Sequence, residues 1–596
     1  MRVPVCLSFM LAILTASWAD YTVQSDFLKD PLLGAAHVKK LADFWKQYRD
    51  STNGGYYNVV GLTGIASKVS YKYFSPQSRL GWVFARAFMV TGDTTYLNHS
   101  DHALKLLYEK AWTPGTGGWY YACSPDCSLP RDYSLGKWSY MQHYALLGIG
   151  AALEAQGGQH FPLDATHPDH WSNWRKGLEW NNEYLWDTTA SQLGYFTNSG
   201  SKPHAGTGKG FTPTVDAITT HADLASLLSG DPADLERFTL LGDAMSDRMV
   251  AAMDSTGVLV GFPEEYLANW HIYTAMPSAM VGHMVKTSWC LGRVWLQNPK
   301  PKYLTAMAKV LEDMWASGAV DTVMGGTSSS FAWNQHPPVA RSEKSYWMTE
   351  QAINAGLMNW YLQSDPLLRD RSLRMADRSA DFFSKHFVHS DGGTIMSTDW
   401  NGVPVDGNLG DEWDAGYHSA EVGWQTYLYG NLFLKGQPIS LYYRLAPSRE
   451  AQEIKLNPIR LKDDGLAILS VQKDGAAYVD FSSADRTLRL PAGVGGIFKV
   501  VFGRAASVAL SPHASSPSLD LHWDLATCNL TFHLPQAGQV RIRLLSLDGR
   551  LLQTWYDGKL DAGARSLVVP AGHIAQGLHF LTLEGEGIHQ SLRILM

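Results

Sequence analysis

The sequence is poor in cysteine, and it lacks long basic runs and, beyond its first residues, long hydrophobic runs. Its 49 Lys and Arg residues are outnumbered by 56 Asp and Glu residues, which gives a formal net charge of −7. No run of positive charge is long enough to follow a phosphate backbone, so nucleic acid is not an expected partner. No internal run reaches the length of a membrane-spanning helix, so no transmembrane segment is predicted.

The first residues have the pattern of a secretory signal peptide. Arg2 precedes an apolar stretch from Val3 to Leu14, and small residues lead to a cleavage site between Ala19 and Asp20. We therefore expect residues 1–19 to be removed and the mature protein to be secreted or held at a bacterial cell surface.

Two of the 5 cysteines lie close together in a loop-like segment rich in Ser, Pro and Asp. In an oxidising compartment, Cys123 and Cys127 are expected to form a local disulfide. A metal site is the alternative, although two cysteines without a nearby histidine pair do not complete a tetrahedral ligand set.

Six similar short segments recur between residues 26 and 434, about 63–76 residues apart, and helical patterns fill the intervals. A unit of two helices repeated six times predicts an all-α (α/α)6 barrel over residues 20–436, with one concave mouth where the repeats converge. The six segments are Gly54–Tyr57, Gly117–Tyr120, Leu193–Phe196, Gly257–Val260, Gly325–Thr327 and Gly392–Thr394. The apolar spacing predicts helices that include Gln77–Thr91, Thr95–Lys110, Leu135–Ala155, Trp171–Trp186, Val215–Leu228, Asp234–Met253, Ser278–Leu296, Tyr346–Leu362 and Asp370–His386.

After Gly436 the helical pattern gives way to alternating strands broken by Gly, Pro and Asp-Gly turns. Residues 437–510 are expected to form a β domain, and residues 511–518, which are rich in Ser and Pro, a linker. Residues 519–596 are expected to form a small β-sandwich. The chain is therefore predicted to be multidomain, with an all-α barrel followed by small all-β domains.

Three histidines lie in contexts that favour chemistry over packing. His221, His283 and His418 each lie at the predicted start of a helix in a different repeat, so we expect them to meet at one mouth of the barrel. Histidine titrates near neutral pH, which suits it to general acid–base catalysis.

Several strings around these residues follow one known pattern. They are Lys72, Gln77-Ser78-Arg79, Trp82–Phe88, Thr91-Gly92-Asp93 before Tyr96-Leu97, Gly282-His283 to Trp289, Tyr346-Trp347 and Tyr417-His418. From about Gly54 to Phe433 the chain thereby resembles the N-acylglucosamine 2-epimerase superfamily, which includes cellobiose and mannose 2-epimerases and aldose–ketose isomerases.

The resemblance implies roles for individual residues. His283 and His418 would form the acid–base pair, Arg79 would anchor the substrate oxygens, and His221 would line the site. The other residues expected to bind substrate are Lys286, Trp289, Tyr346, Trp347, Trp413 and Tyr417.

The implied chemistry explains these residue types. Epimerisation at a carbon next to an aldehyde removes a proton from one face of the opened sugar and returns a proton to the other, which two histidines can do. Arg79 would stabilise the enediolate that develops. The route needs no metal or redox cofactor, and its substrate would be the reducing end of a mono- or oligosaccharide.

Three departures from the family pattern keep other functions open. Thr219 and Leu224 replace the Asn and Glu that flank the family's equivalent of His221. Lys286 stands where the family usually has Glu, and Glu421 stands where an Arg often follows the Tyr-His pair. A non-catalytic glycan-binding barrel is one alternative. A polysaccharide lyase or glycoside hydrolase is the other, because the same barrel hosts both. Carboxylates for a hydrolase would come from Asp216, Asp223, Glu264, Glu265, Asp411 and Asp414.

About the last 80 residues resemble the sorting domains of the bacterial type IX secretion system. The matching strings are Val540-Arg541-Ile542, Leu547–Arg550, Gly563 and Gly577–Leu581. The resemblance implies that secretion machinery is a partner of the C-terminal domain.

Overall fold

The computed structural model of the protein describes residues 21–66, 71–132, 136–255, 259–405, 407–459, 465–504, 521–524, 527–534, 536–545, 551–569, 578–585 and 588–595. The chain divides into two compact units, residues 1–505 and 506–596. The expected signal peptide (1–19) and linker (511–518) lie outside the described residues, as do Leu547–Arg550 and Gly577 of the sorting-domain strings.

Helices make up most of the chain from Asp26 to Lys435. They are α1 Asp26–Lys29, α2 Leu32–Lys46, α3 Phe74–Thr91, α4 Thr95–Leu106, α5 Ser139–Ala155, α6 His170–Tyr184, α7 Asp223–Leu228, α8 Pro232–Ala244, α9 Ala252–Ser255, α10 Val281–Gln297, α11 Pro301–Ala316, α12 Tyr346–Leu362, α13 Pro366–His386 and α14 Tyr417–Gln425. Segments of π-helix extend or precede some of them, at Leu107–Ala111, Thr212–Asp216, Ile218–Ala222, Met245–Val250 and Thr426–Lys435. In the part of the chain that the structure describes, no helix is both long and apolar enough to cross a bilayer.

Local sequence signals set several helix ends. The Asp365 side chain accepts the backbone N–H groups of Leu367 and Leu368 at the start of α13, and Pro366 is the first helical residue. Helix α3 ends at Gly92, whose φ of 76° is a left-handed conformation that favours glycine. Such local signals fix where these helices begin and end.

The helices pack as outer and inner partners. The outer helices α2, α4, α6, α8, α11 and α13 contact the inner helices α14, α3, α5, α7, α10 and α12 respectively. Among the inner helices, α3 contacts α5, α5 contacts the π-helical run before α7, that run contacts α10, α10 contacts α12, α12 contacts α14, and α14 contacts α3. The first turns of helices from different repeats can therefore converge.

The similar short segments lie in the turns that follow outer helices. Isolated β-bridges join Arg49 to Tyr56, Trp112 to Trp119, Val320 to Thr327 and Val388 to Thr394. Strand β5 (Trp186–Asp187) pairs with β6 (Gly194–Tyr195) in the third turn. The fourth segment lies partly outside the described residues, because the structure describes it only from Leu259 onward.

Short strands precede or connect the helices. They are β1 Val60–Gly61, β2 Lys72–Tyr73, β3 Ala122–Cys123, β4 Pro130–Arg131, β5, β6, β7 Lys209–Gly210, β8 Glu265–Tyr266, β9 Ser278–Met280, β10 Ser330–Ala332, β11 Lys344–Ser345, β12 Ser397–Thr398 and β13 Asn408–Gly410. Strands β2, β3 and β4 form one antiparallel sheet, and a disulfide joins Cys123 to Cys127 in the turn after β3.

Two antiparallel sheets follow the helices within the first unit, with strand orders β14-β20-β16-β17 and β15-β19-β18. Their strands are β14 Ile439–Leu445, β15 Gln452–Lys455, β16 Leu466–Lys473, β17 Ala476–Tyr478, β18 Phe481–Ser482, β19 Thr487–Leu490 and β20 Gly496–Arg504. Strand β14 alternates buried and half-buried residues, and it packs against α3 and α5.

The second unit also contains two antiparallel sheets, with strand orders β21-β22-β25 and β24-β23-β26-β27. Their strands are β21 His522–Asp524, β22 Asn529–Leu534, β23 Gly538–Leu545, β24 Leu551–Leu560, β25 Gly563–Val568, β26 Leu578–Gly585 and β27 Ile588–Leu595. Leu530 and Phe532 of one sheet and Ile542 and Leu581 of the other belong to one hydrophobic core.

Some predicted helix bounds need correction. The helix predicted to start at Leu135 begins at Ser139, because Trp138 forms a β-bridge with Asn198. The helix predicted to start at Ser278 begins at Val281, because residues 278–280 form strand β9. In both places the backbone hydrogen bonds of a strand replace those of a first helical turn.

Candidate active site

The loop before α14 places His418 in the first turn of that helix. The Asp411 side chain accepts the backbone N–H groups of Trp413 and Asp414, each at 2.8 Å. Gly416 has a φ of +81°, and a Cβ there would lie 2.6 Å from Nε1 of Trp45. The loop therefore requires glycine at this position, and it holds His418 at one level of the inner helices.

The His418 ring contacts carboxylates through both of its nitrogens. Nδ1 lies 3.0 Å from Oε2 of Glu350, and Nε2 lies 3.6 Å from Oδ2 of Asp414. Burial, together with the positive charges of Arg79 and Lys286, holds the pKa of His418 well below its ordinary value. The imidazole is therefore neutral near pH 7 and can accept a proton.

Glu350 belongs to a buried acidic cluster beneath His418. Burial and the neighbouring Glu421 carboxyl raise the pKa of Glu350 well above its ordinary value, and Asn354 donates a hydrogen bond to it. Donor atoms of Glu350, His418 and Glu421 lie within 4.8 Å of one another, so this trio could hold a metal ion. The ammonium group of Lys286 acts on the same carboxyl and opposes a further cation there.

His283 lies in the first turn of α10 and is less buried than His418. Its Nδ1 lies 3.0 Å from Oε2 of Glu264, and its side chain is 20% exposed. The ring stacks on Phe211, with centroids 3.6 Å apart and planes 16° apart. These contacts fix the ring plane and leave part of the imidazole open to solvent.

Trp347 joins the two histidines. Its ring centroid lies 5.3 Å from that of His283 and 5.9 Å from that of His418. Trp347 is the second residue of α12, so the first turns of α10, α12 and α14 meet at this ring. Two groups that the sequence separates by 135 positions (418 minus 283) thus share one neighbour.

Arg79 approaches the same cluster from α3. Its Nη1 lies 3.1 Å from Oδ2 of Asp414 and donates to the backbone oxygen of Trp413 at 2.8 Å. The guanidinium carbon lies 4.2 Å from the centroid of the Tyr144 ring. Asp414 therefore links Arg79 to His418.

Lys286 is buried and its ammonium group is paired with neighbouring side chains. Its Nζ lies 2.7 Å from Oδ1 of Asp216 and 3.3 Å from the hydroxyl of Tyr144. The pKa of Lys286 is raised despite the opposing effect of burial, because Asp216 stabilises its charge. Lys286 is thus a buried cation that acts on the site through its field, and contact with substrate stays a prediction.

The aromatic residues expected at the site differ in exposure. Trp289 is buried and donates from Nε1 to Oε1 of Gln351 at 2.7 Å, and Tyr346 and Tyr417 are also buried. Trp413 is 38% exposed. Trp413 and the partly exposed Trp347 therefore offer ring surface on which a ligand can stack. The buried rings do not.

The structure pairs His221 with His143. His221 lies inside the π-helical segment Ile218–Ala222, because the helical run already starts near Pro213, so it does not begin a helix as expected. Its Nε2 lies 2.9 Å from Nδ1 of His143, and it is 1% exposed. The role of His221 in lining the site stays a prediction.

Sequence reasoning did not assign roles to Glu350 or Tyr144, and it named Glu264 and Asp414 only as hydrolase candidates. Glu350 follows Tyr346-Trp347 on the same helical face, one turn later, and this spacing was the available signal. Glu264 reaches His283 from a separate loop, which helical spacing does not reveal.

No protein-family model matches the chain. Over 130 residues it is 26% identical to the cellobiose 2-epimerase of Eubacterium cellulosolvens, a segment that is 22% of this chain and 31% of that protein. Over 116 residues it is 28% identical to the cellobiose 2-epimerase of Dictyoglomus turgidum, covering 20% of this chain and 29% of that protein. The chain thus spans about a third of the length of the curated relatives it matches.

Solved structures match over a longer range. The cellobiose 2-epimerase of Bacillus thermoamylovorans has a TM-score of 0.55 and 15% identity, covering 67% of this chain and 99% of that one. That of Spirochaeta thermophila has a TM-score of 0.56 and 18% identity, covering 68% and 97%. A D-mannose isomerase has a TM-score of 0.55 and 15% identity, covering 67% and 98%.

The helical region has the fold of these sugar epimerases and isomerases. The relatives and structural neighbours support the resemblance to the N-acylglucosamine 2-epimerase superfamily.

Proposed function

We propose that the protein is an exported sugar 2-epimerase or aldose–ketose isomerase that acts on the reducing end of a mono- or oligosaccharide by histidine-mediated proton transfer. Residues 20–436 form the (α/α)6 barrel of this enzyme in the proposal. Residues 437–510 are a β domain, and residues 519–596 are a β-sandwich sorting domain read by secretion machinery.

One observation carries the proposal. His283 and His418, in the first turns of different inner helices, both contact Trp347, and Asp414 links His418 to Arg79. This arrangement supplies two proton-transfer groups and a cation around one point, as proton transfer next to a carbonyl requires.

In the proposed reaction, the neutral His418 imidazole takes the C2 proton of the opened sugar. The electrons of the C2–H bond form the C1–C2 double bond, and the carbonyl oxygen becomes an enediolate oxygen that Arg79 stabilises. Return of a proton from His283 to the opposite face of C2 gives the epimer. Transfer of the O2 proton to O1, with return of a proton to C1 instead of C2, gives the ketose.

Four of the six carboxylates considered for a hydrolase are engaged in contacts that suit other roles. Asp216 pairs with Lys286, and Asp414 pairs with Arg79. Glu264 lies against His283. Asp411, whose pKa burial raises to about 6, accepts two backbone N–H groups of its own loop. These contacts favour structural and positioning roles over paired catalysis on a glycosidic bond.

Deuterium exchange tests the proposal without knowledge of the substrate. The mature protein is incubated in D2O with glucose, mannose, N-acetylglucosamine, cellobiose and mannobiose, and the C2 proton is followed by NMR. We expect loss of the C2 signal for at least one sugar, followed by signals of an epimer or ketose. The corresponding alditols have no carbonyl group and serve as controls that should not exchange.

Two other results would contradict the proposal. Cleavage of oligosaccharides without C2 exchange would place the protein among lyases or hydrolases. Binding of sugars without exchange or cleavage would support a glycan-binding barrel.

A further inference from the structure

Aromatic rings continue from the candidate active site toward its rim. Tyr144, which lies under the Arg79 guanidinium, packs on Tyr140 with centroids 4.6 Å apart. Tyr140 stacks on Trp138 at 4.7 Å, and Trp413 lies 6.0 Å from Tyr140. The exposed Trp413 ring is therefore connected to the Arg79 end of the site by aromatic contacts.

The same series extends past Trp413 onto the small sheet of β2, β3 and β4. Tyr121 lies 6.0 Å from Trp413, and Tyr73 lies 5.4 Å from Tyr121. Both tyrosines are partly exposed. We call Trp413, Tyr121 and Tyr73 the aromatic row.

The backbone holds the outer part of the aromatic row in place. Tyr73 pairs with Ala122 in the sheet, and the N–H of Tyr121 donates to the backbone oxygen of Arg131 at 2.9 Å. The disulfide between Cys123 and Cys127 closes the turn that follows. The backbone that holds these partly exposed rings is therefore rigid, which lowers the entropy cost of binding a ligand.

Polar groups accompany the rings. Burial and the nearby Glu412 carboxylate raise the pKa of Tyr73 to about 12. The guanidinium of Arg131 lies 4.7 Å from the centroid of Tyr71. A surface of ring faces with a few charged groups beside them suits a ligand that has apolar C–H faces and hydroxyl edges.

We propose that the aromatic row is a glycan-binding extension of the active site, which holds the sugar units beyond the one that reacts. The preferred substrate is then an oligosaccharide of three or more units, with its reducing end at His283 and His418. This inference rests on the proposed function for the orientation of the chain, but the binding itself needs no turnover.

Alditols test the extension independently of catalysis. Cellobiitol, cellotriitol and cellotetraitol, and the matching β-1,4-manno-oligosaccharide alditols, are titrated into the protein by calorimetry. In at least one series we expect the three-unit alditol to bind about 3–10-fold more tightly than the two-unit one, the scale of one added aromatic contact.

Variants then locate the gain. Tyr121→Ala and Tyr73→Ala should remove the added affinity for the longer alditol, and Tyr121→Phe should retain it because the ring remains. Tyr478→Ala is the matched control, since Tyr478 is also partly exposed but lies in strand β17 of the β domain. Its removal should change neither affinity.

The outcomes separate this inference from the proposed function. Tighter binding of longer alditols that depends on Tyr121, in a protein that does not exchange C2 protons, would support the extension and contradict the proposed reaction. Exchange with equal binding of all lengths would overturn the extension and leave the reaction standing. Absence of binding in both series, or a length effect that survives Tyr121→Ala and Tyr73→Ala, would also overturn the extension.

Discussion

At the scale of single residues, the charges around His418 decide its protonation state. Burial is the largest influence that lowers its pKa, and the charges of Arg79 and Lys286 lower it further. A group with a depressed pKa stays neutral until the pH falls through that lower value. The proposed base is therefore kept in its proton-accepting form throughout the neutral range.

Replacement of Lys286 by Gln tests this electrostatic role. The variant removes the cation and leaves Asp216 as a buried negative charge, and both changes raise the pKa of His418. The neutral imidazole is then lost at a higher pH, so we expect the acid limb of the kcat/KM profile to move to higher pH. Measurement of kcat/KM from pH 4 to 9 checks this shift.

The control for this variant is Lys302→Gln, on outer helix α11. It should leave the acid limb in place. An acid limb that stays unchanged in Lys286→Gln, or moves to lower pH, would show that Lys286 does not control the proposed base.

Motifs predicted His283, His418 and Arg79 because each lies in a short string with a recognisable pattern. The partners of these residues could not be predicted in the same way. Glu350 lies 68 positions from His418, and its contact with that ring depends on how α12 packs against α14. Likewise, the burial of His221 against His143 follows from the packing of its helical run on α5.

At the scale of helices and strands, buried ion pairs tie the turns after outer helices to the strands that precede inner helices. Lys72 lies 2.5 Å from Asp50, and Lys344 lies 2.7 Å from Asp321. The Lys209 ammonium lies 3.2 Å from a carboxylate oxygen in strand β5. The same kind of buried Lys–Asp pair therefore fixes the start of several inner helices.

Replacement of Lys344 by Met tests whether these buried ion pairs stabilise the fold. Lys344 is fully buried, and its removal leaves the Asp321 carboxylate buried without its cation. Loss of one partner of a buried pair costs about 3–5 kcal/mol of unfolding free energy. Urea denaturation followed by tryptophan fluorescence should show this loss as a lower midpoint.

Lys39→Met is the matched control, because Lys39 pairs with Asp43 on an exposed surface. Its effect should stay within about 1 kcal/mol. Equal midpoints for the Lys344 variant and the native protein would mean that the pair does not stabilise the turn.

Periodicity predicted helix bodies better than helix ends. The predicted range Tyr346–Leu362 coincides with α12, because apolar residues recur at helical spacing from one end of this helix to the other. The predicted range Val215–Leu228 instead contains π-helical segments before α7. A π-helical turn adds residues without changing composition, so apolar spacing does not mark it.

At the scale of the whole molecule, the proposed export predicts a specific mature protein. We expect mass spectrometry of secreted material to show Asp20, or a residue close to it, as the N-terminus, because the signal-peptide pattern ends at Ala19. Recovery of the intact chain with Met1 from the cytoplasm of the native host would refute the proposed export.

The chain divides into two compact units at residue 505, so the first β sheets belong to the same unit as the helices. The helices share their unit with the sheets formed by β14–β20, and β14 packs against α3 and α5. Alternating apolar residues predicted these strands, but their packing against the helices depends on tertiary contacts that the pattern does not contain.

The central claim is that two histidines move the proton. His283→Asn and His418→Asn should each lower the rate at which the epimer forms about 10²–10⁴-fold, the scale for loss of a general acid or base, with the fold retained. The double variant should lose little more than the worse single variant, because the two groups act in one reaction.

The measurement that tests this most directly is the rate of epimer formation by the native protein, both single variants and the double variant, on one sugar. The account predicts a large loss in each single variant and no multiplication of the losses in the double variant. Epimer formation at the native rate in both single variants would contradict it.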